Sequence, residues 1–218
     1  MIRPALEQGL AEIGLHLPEE CLQSFDRFAE ELKKWNKKVN LTAICNDTDI
    51  AVKHIIDSLV CASYVKKGNR VLDIGSGAGF PAIPLKIAVP DISVLSVDAV
   101  GKKINFQRHI SRMLAFKDFE AVHSRVENLH VTHAAGFDVI VSRAFSQLEL
   151  FVSLAAPLLN YGGRLIAMKG PGVDNECDAA ADGLRLSGFE ISSIQPYSLP
   201  MGKGERNLVV ITALKAHE

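Results

Sequence analysis

The segment Val71-Leu72-Asp73-Ile74-Gly75-Ser76-Gly77-Ala78-Gly79-Phe80-Pro81 constrains the fold more than any other stretch of the chain. An apolar strand runs directly into three glycines at alternate positions, and a proline follows where a helix can begin. Glycine suits a backbone that must turn tightly and pass close to a ligand, because a Cβ would obstruct both. In a dinucleotide-binding fold the spacing is GxGxxG, with the third glycine packed between helix and strand. Here Phe80 holds that place. The spacing GxGxG, preceded by Asp73, favours S-adenosylmethionine over a pyrophosphate cofactor, and a plain tight turn is the other reading of the glycines taken alone.

The rest of the chain agrees with a doubly wound sheet. Short apolar runs at 70–74, 93–97, 119–122, 137–141, 164–168, 190–195 and 207–212 alternate with helical stretches at 81–88, 101–114, 147–158 and 174–186. Such alternation predicts a mainly parallel sheet covered by helices. The last two runs are separated only by residues 196–206, too few for a crossover helix, so they are expected to pair as an antiparallel hairpin at one edge. Before residue 69 the pattern is helical: from Pro18, at a first-turn position, Leu22, Phe25, Phe28, Ala29, Leu32 and Trp35 recur at helical steps. A second helix, capped by Asp47 or Thr48, carries Val52, Ile55, Ile56, Leu59 and Val60. The expected organisation is an N-terminal helical extension over 1–68, packed on an α/β domain over 69–218 as one compact unit. The fold class is a Rossmann-like class I methyltransferase with a seven-stranded, mainly parallel sheet.

Asp98 strengthens the cofactor reading. It closes the second strand, 19 residues beyond Gly79, where a carboxylate can accept hydrogen bonds from both ribose hydroxyls of an adenosyl ligand. Capping the next helix is its alternative. Ligands of open α/β sheets lie beyond the carboxyl ends of the strands, and four cations fall there: Lys102, Arg125, Arg143 and Lys169. Arg143 and Lys169 are assigned to orient a target base and its phosphate, and Arg125 and Lys102 to hold the neighbouring backbone. Phe145 could stack on an extruded base or simply pack. His54 and Asp57 could orient one another or the incoming target, Asn40 and Thr42 could shape a loop over the cofactor, and Lys203 and Arg206 could touch nucleic-acid backbone.

Composition narrows the class further. The 218 residues are 48% hydrophobic with 16 Gly and 9 Pro, which excludes a disordered or collagen-like chain. The most apolar stretches fall well short of the roughly 20 residues of a membrane span, and the first residues lack the apolar core of a signal peptide. A cytoplasmic protein without membrane partners is expected. Cys21, Cys45, Cys61 and Cys177 show no CxxC spacing and read as thiols, and neither they nor the seven histidines form a metal pattern. A net charge of −1 argues at first against a nucleic-acid partner. The sum hides clusters, however: Lys33, Lys34, Lys37 and Lys38 stand together, and residues 101–125 hold six lysines and arginines against Asp118 and Glu120. RNA binding through a localised patch remains open.

The motifs Trp35-Asn36, Asn40-Leu41-Thr42, His54-Ile55-Ile56-Asp57-Ser58-Leu59, Ser124-Arg125-Val126-Glu127, Ser142-Arg143-Ala144-Phe145, Lys169-Gly170 and Gly204-Glu205-Arg206, together with the glycine turn, make the sequence resemble the RsmG (GidB) family along nearly its whole length. That resemblance implies a bacterial 16S ribosomal RNA methyltransferase, using S-adenosyl-L-methionine to methylate guanine N7 at one decoding-region nucleotide, position 527 in the customary numbering. It implies cofactor contacts at Gly75, Phe80, Val126, Glu127 and Arg143, beside Asp73, Gly77, Gly79 and Asp98 of the glycine turn and ribose position. The implied partner is 16S rRNA or the small ribosomal subunit rather than DNA, and a monomer is expected. Three other readings stay open: a methyltransferase of another RNA, a small molecule or a protein; a non-catalytic ribosome-binding module; and a nicotinamide dehydrogenase, which Phe80 disfavours.

Overall fold

The computed structural model describes residues 1–143, 145 and 147–214. Its centre is a seven-stranded sheet of β1 (Arg70–Ile74), β2 (Ser93–Asp98), β3 (Phe119–His123), β4 (Phe137–Ser142), β5 (Leu159–Lys169), β6 (Phe189–Ser198) and β7 (Glu205–Ala213), in the order β3-β2-β1-β4-β5-β7-β6. β1 to β5 are parallel; β7 pairs antiparallel with both β5 and β6. The terminal hairpin is antiparallel as expected, and its second strand is the one that joins the sheet. Val71, Leu72 and Ile74 of β1 are all buried, the mark of a strand covered on both faces. β5 begins five residues earlier than the expected run, because the strand carries through Gly162-Gly163 where the sequence reads as a turn. A register shift between Phe137 and Val139 accommodates it against β4.

The covering helices are α5 (Ala82–Ala88), α6 (Gly101–Met113), α7 (Leu148–Ala155) and α8 (Asp174–Leu186). The N-terminal region supplies α1 (Arg3–Glu12) and α2 (Glu19–Val39), then a continuous helical run over residues 47–64. α2 buries Phe25, Phe28, Ala29 and Leu32 along one stripe, carries Glu19 and Glu20 in its first turn and Lys37 and Lys38 in its last, and stops at Asn40 in the left-handed conformation (φ 47°). Pro18 precedes its first turn rather than lying within it.

The run over 47–64 starts with α3 (Asp47–Asp49), widens to a π-helix over Ile50–Ile56, returns to α4 (Asp57–Leu59) and tightens to a 3-10 turn over Val60–Tyr64. Its cap is Asn46, whose side chain accepts from the Asp49 N–H at 2.7 Å, rather than Asp47 or Thr48. Asp47 is instead drawn to the Lys33 ammonium at 2.5 Å and to the N-terminal ammonium at 2.6 Å.

The helical extension shares its core with the sheet domain. Phe25, Phe28, Leu32, Ile55 and Ile56 form one buried cluster with Phe80, Ile83, Phe106, Ile110 and Leu199. Each large apolar side chain buried there stabilises the fold by about 1.5–3 kcal/mol. Polar ties span the same boundary: Arg27 donates to the Met113 carbonyl at 2.9 Å, His109 meets Glu31 at 2.7 Å, and Lys203 pairs with Asp49 at 3.0 Å. The four cysteines are free thiols, and among the described residues no helix is long and apolar enough to cross a membrane.

Candidate functional site

The glycine turn is held from behind by buried polar groups. Gln107, fully buried on α6, donates to the Gly77 carbonyl at 2.9 Å and to Ser76 Oγ at 2.8 Å, and accepts from Ser96 Oγ at 2.6 Å. Asp73 accepts from the Ala82 N–H at 3.0 Å, joining the end of β1 to the start of α5. Its other oxygen, Oδ1, is buried with no hydrogen-bond partner among the described residues, and burial lifts the carboxyl from 3.8 to about 7. Gly79 has φ +93°, and a Cβ there would lie 2.4 Å from Ile83 Cδ1. Gly77 (φ +59°) is different: a Cβ on it would meet only Lys103 Nζ, at 4.0 Å. Gly79 therefore serves packing, while Gly77 keeps its backbone open toward the strand ends.

Beyond the ends of β1 and β2 lies a cleft of about 330 Å³, lined by Gly75, Asp98, Arg125, Val126, Glu127 and Phe145 among others. Asp98 sits on its wall, accepting from the Gly77 N–H and the Val100 N–H at 2.8 Å each. The two bonds fix both carboxylate oxygens at the mouth of the glycine turn, and each oxygen keeps a lone pair for a further donor.

A second cleft, of about 240 Å³, is lined by Ile44, Lys53, Asp57, Arg143, Met168, Lys169, Gly170, Tyr197 and Arg206. Arg143 lines the second cleft and Phe145 the first. Arg143 Nη1 lies 3.5 Å from Asp57 Oδ2, and Nη2 lies 3.5 Å from His54 Nδ1. Asp57, itself buried, also accepts from Tyr197 Oη at 2.7 Å. Burial and the neighbouring carboxylate push the Tyr197 phenol up, so it stays a donor. His54 stacks on Phe80 at 4.3 Å and contacts Thr42 Oγ1 at 2.8 Å; burial, helped by Arg143, lowers its imidazole to about 3 and leaves it neutral. A guanidinium only donates, so Nδ1 must be the acceptor, which puts the ring proton on Nε2, toward Thr42.

The family model described as rRNA small subunit methyltransferase G matches residues 21–209. The chain belongs to this family. A relative from Geotalea uraniireducens, named Ribosomal RNA small subunit methyltransferase G, is 52% identical over 94% of this chain and 94% of its own length. Relatives with the same name from Geobacter sulfurreducens and Bacillus cytotoxicus are 46% and 35% identical, over 94% and 93% of this chain and 95% and 86% of their own lengths. Among solved structures, Pyrococcus horikoshii TYW2 in complex with MeSAdo superimposes with a TM-score of 0.61 at 11% identity, over 75% of this chain and 63% of that one. M. jannaschii TYW2 in complex with AdoMet gives 0.57 at 12%, over 72% of this chain and 74% of that one. At such identities the likeness shows a shared Rossmann-like methyltransferase fold.

Within this member of the methyltransferase G family, the residues singled out in the sequence separate into groups. Gly75, Asp98, Arg125, Val126 and Glu127 come together in the first cleft, and Arg143, Lys169 and Arg206 in the second. Asp73 is fully buried behind the turn, so it supports the glycines rather than facing the cleft. The Phe80 ring packs inward on Phe28 and His54, 5% exposed, and is absent from the walls of the first cleft. Phe145 packs on Phe151 at 5.5 Å and lines the first cleft rather than the second. Lys169 is committed, donating to the Phe145 carbonyl at 2.9 Å and to Glu176 at 2.7 Å, so it braces the segment after β4 before it binds anything else.

Lys102 is exposed on α6 and lines neither cleft. Lys103 is the lysine beside the glycine turn. The sequence holds a signal for it: Lys103 is one helical turn before Gln107 and on the same face. Asn40 terminates α2, and Thr42 holds His54 and the Ile44 N–H rather than covering the first cleft. Lys203 is paired with Asp49. Ala144, in the motif around Arg143, lies outside the described residues. Tyr197 and Lys53 went unseen, since neither carries a motif of its own.

Proposed function

We propose that this chain transfers the methyl group of S-adenosylmethionine to N7 of a single guanosine in the decoding region of 16S rRNA. The observation that carries the reading is the pair of clefts at the carboxyl ends of the strands, one lined by Phe145 and the other by Arg143. The first fits the cofactor. Gly75 and the open backbone at Gly77 admit a close-lying ligand, Asp98 offers acceptor lone pairs to a ribose, and Val126 and Leu154 supply apolar wall for an adenine. When bound, S-adenosylmethionine supplies an electrophilic sulfonium methyl.

The second cleft suits the base and its phosphate. Lys53, Arg143, Lys169 and Arg206 make its lining basic, with Asp57 the acidic member. Guanine N7 bears an in-plane lone pair and no proton, so the transfer needs alignment and desolvation rather than a general base. A donor placed on N7 would block the nucleophile; Arg143 is therefore assigned to O6 or to the phosphate, where its fork matches the acceptors. Lys103 and Arg125 are placed to meet the flanking RNA backbone, and the cytoplasm is the compartment this substrate implies.

Mapping N7-methylguanosine in small-subunit rRNA from a strain lacking the gene, and from the same strain carrying it again, tests the assignment. Loss and return of the modification at one decoding-region position is the expected outcome. Unchanged rRNA, or loss at a different atom, overturns it.

A further inference from the structure

Arg143 reaches out of β4 with unusually slack partners. Both of its contacts to the helical extension are 3.5 Å, and Nη1 is buried with no hydrogen-bond partner among the described residues. A guanidinium held so loosely has a direction only if something else fixes its counter-charge. Asp57 is that counter-charge. It lies in the first turn after the π-helix, 5% exposed, and its second oxygen is held by Tyr197 Oη at 2.7 Å. His54 closes the arrangement from the other side, neutral and stacked on Phe80, whose ring lies 5.8 Å from the Arg143 guanidinium carbon. Three separate parts of the chain thus meet in one cluster: the helical run over 47–64 through His54 and Asp57, the edge strand β6 through Tyr197 on Asp57, and Arg143 just past the end of β4.

We propose that Asp57, itself fixed by Tyr197, is a positioning residue that sets the direction of the Arg143 guanidinium in the second cleft. The inference rests on the reading of that cleft as the rRNA side of the site. The Tyr197 hydroxyl holds Asp57 Oδ1 at 2.7 Å, and with that oxygen fixed Oδ2 is turned to Arg143 Nη1 at 3.5 Å. A buried carboxylate without its cation is costly, so Arg143 stays near Asp57 when the cleft is empty and needs no reorganisation when a base arrives.

Single-turnover methyl transfer to small-subunit rRNA at saturating S-adenosylmethionine tests the brace. Asp57→Asn keeps an acceptor for Tyr197 and removes the charge; about a 100-fold loss of rate is expected, the size associated with an ångström of misplacement. Tyr197→Phe should lose rate in the same direction by less. Adding Asp57→Asn to an Arg143→Lys chain should change its rate by less than threefold, because the brace acts through the guanidinium. A purely structural Asp57 would instead give losses that multiply and track a falling melting temperature.

A wild-type rate for Asp57→Asn, or multiplying losses, overturns the brace while leaving the functional reading intact. Absence of rRNA methylation by the wild-type chain overturns both. Should Asp57→Asn fail to fold, Tyr197→Phe, which removes one hydroxyl, decides: an undiminished rate overturns the proposal.

Discussion

Two buried titratable groups flank the site with opposite consequences. Asp73 is lifted from 3.8 to about 7 by burial. Between those values the folded chain keeps a proton that the unfolded chain has released, so the stability linked to Asp73 is complete below the lower value and is lost as pH rises through the upper one. His54 is lowered from 6.5 to about 3, so its contribution is complete above 6.5 and is lost as pH falls through the acidic range. Asp73→Asn keeps an acceptor for the Ala82 N–H and cannot ionise. Its melting temperature relative to wild type should therefore be higher at pH 8 than at pH 4.5, by about 2–4 °C for each kcal/mol recovered. Parallel melting curves across that interval would sink the assignment. At this scale the sequence was only partly informative. Asp98 and Arg143 each end a recognisable strand and line a cleft, whereas the side chains of Asp73 and Phe80 are buried away from the first cleft, since sequence gives the position of a residue but not the face its side chain takes.

Among the elements, the strands and the glycine turn were legible because buried parallel strands are continuous apolar runs and the turn has its own spacing. The π-helix over Ile50–Ile56 was not: its residues have ordinary helical periodicity, which does not distinguish the wider turn from an α-helix. That width matters because the element carries His54 and leads into Asp57. The glycine turn makes a sharper prediction. Gly79→Ala puts a Cβ within 2.4 Å of Ile83 Cδ1 at a φ of +93°, pressing α5 away from the turn. Calorimetry with S-adenosylhomocysteine should show binding weakened at least tenfold, with destabilisation of about 1–3 kcal/mol in urea. Wild-type affinity in the variant would show that the turn tolerates a side chain and is not the cofactor cradle.

For the molecule as a whole, the division at residue 69 is a change of sequence pattern and not a break in the core. Phe80, Ile83, Phe106 and Ile110 are buried by the N-terminal helices, and Arg143 finds its counter-charge there. A chain reduced to residues 69–218 should lose cooperative unfolding in urea and bind an apolar dye; a sharp transition with a silent dye would mean the sheet domain is self-sufficient. The net charge of −1 reads differently in three dimensions as well. Lys33, Lys34, Lys53 and Lys203 are paired with nearby carboxylates, while Arg206 lines the second cleft and donates to the carbonyl of Glu205 at 2.8 Å.

The order of the strands sets a schedule for synthesis. β7, the last strand, lies between β5 and β6 and pairs with both. Until it emerges, β5 has an unpaired edge and β6 has no place in the sheet, so Tyr197 cannot reach Asp57. In a nascent chain the second cleft would stay structurally incomplete until β7 had left the ribosome, long after the glycine turn had emerged.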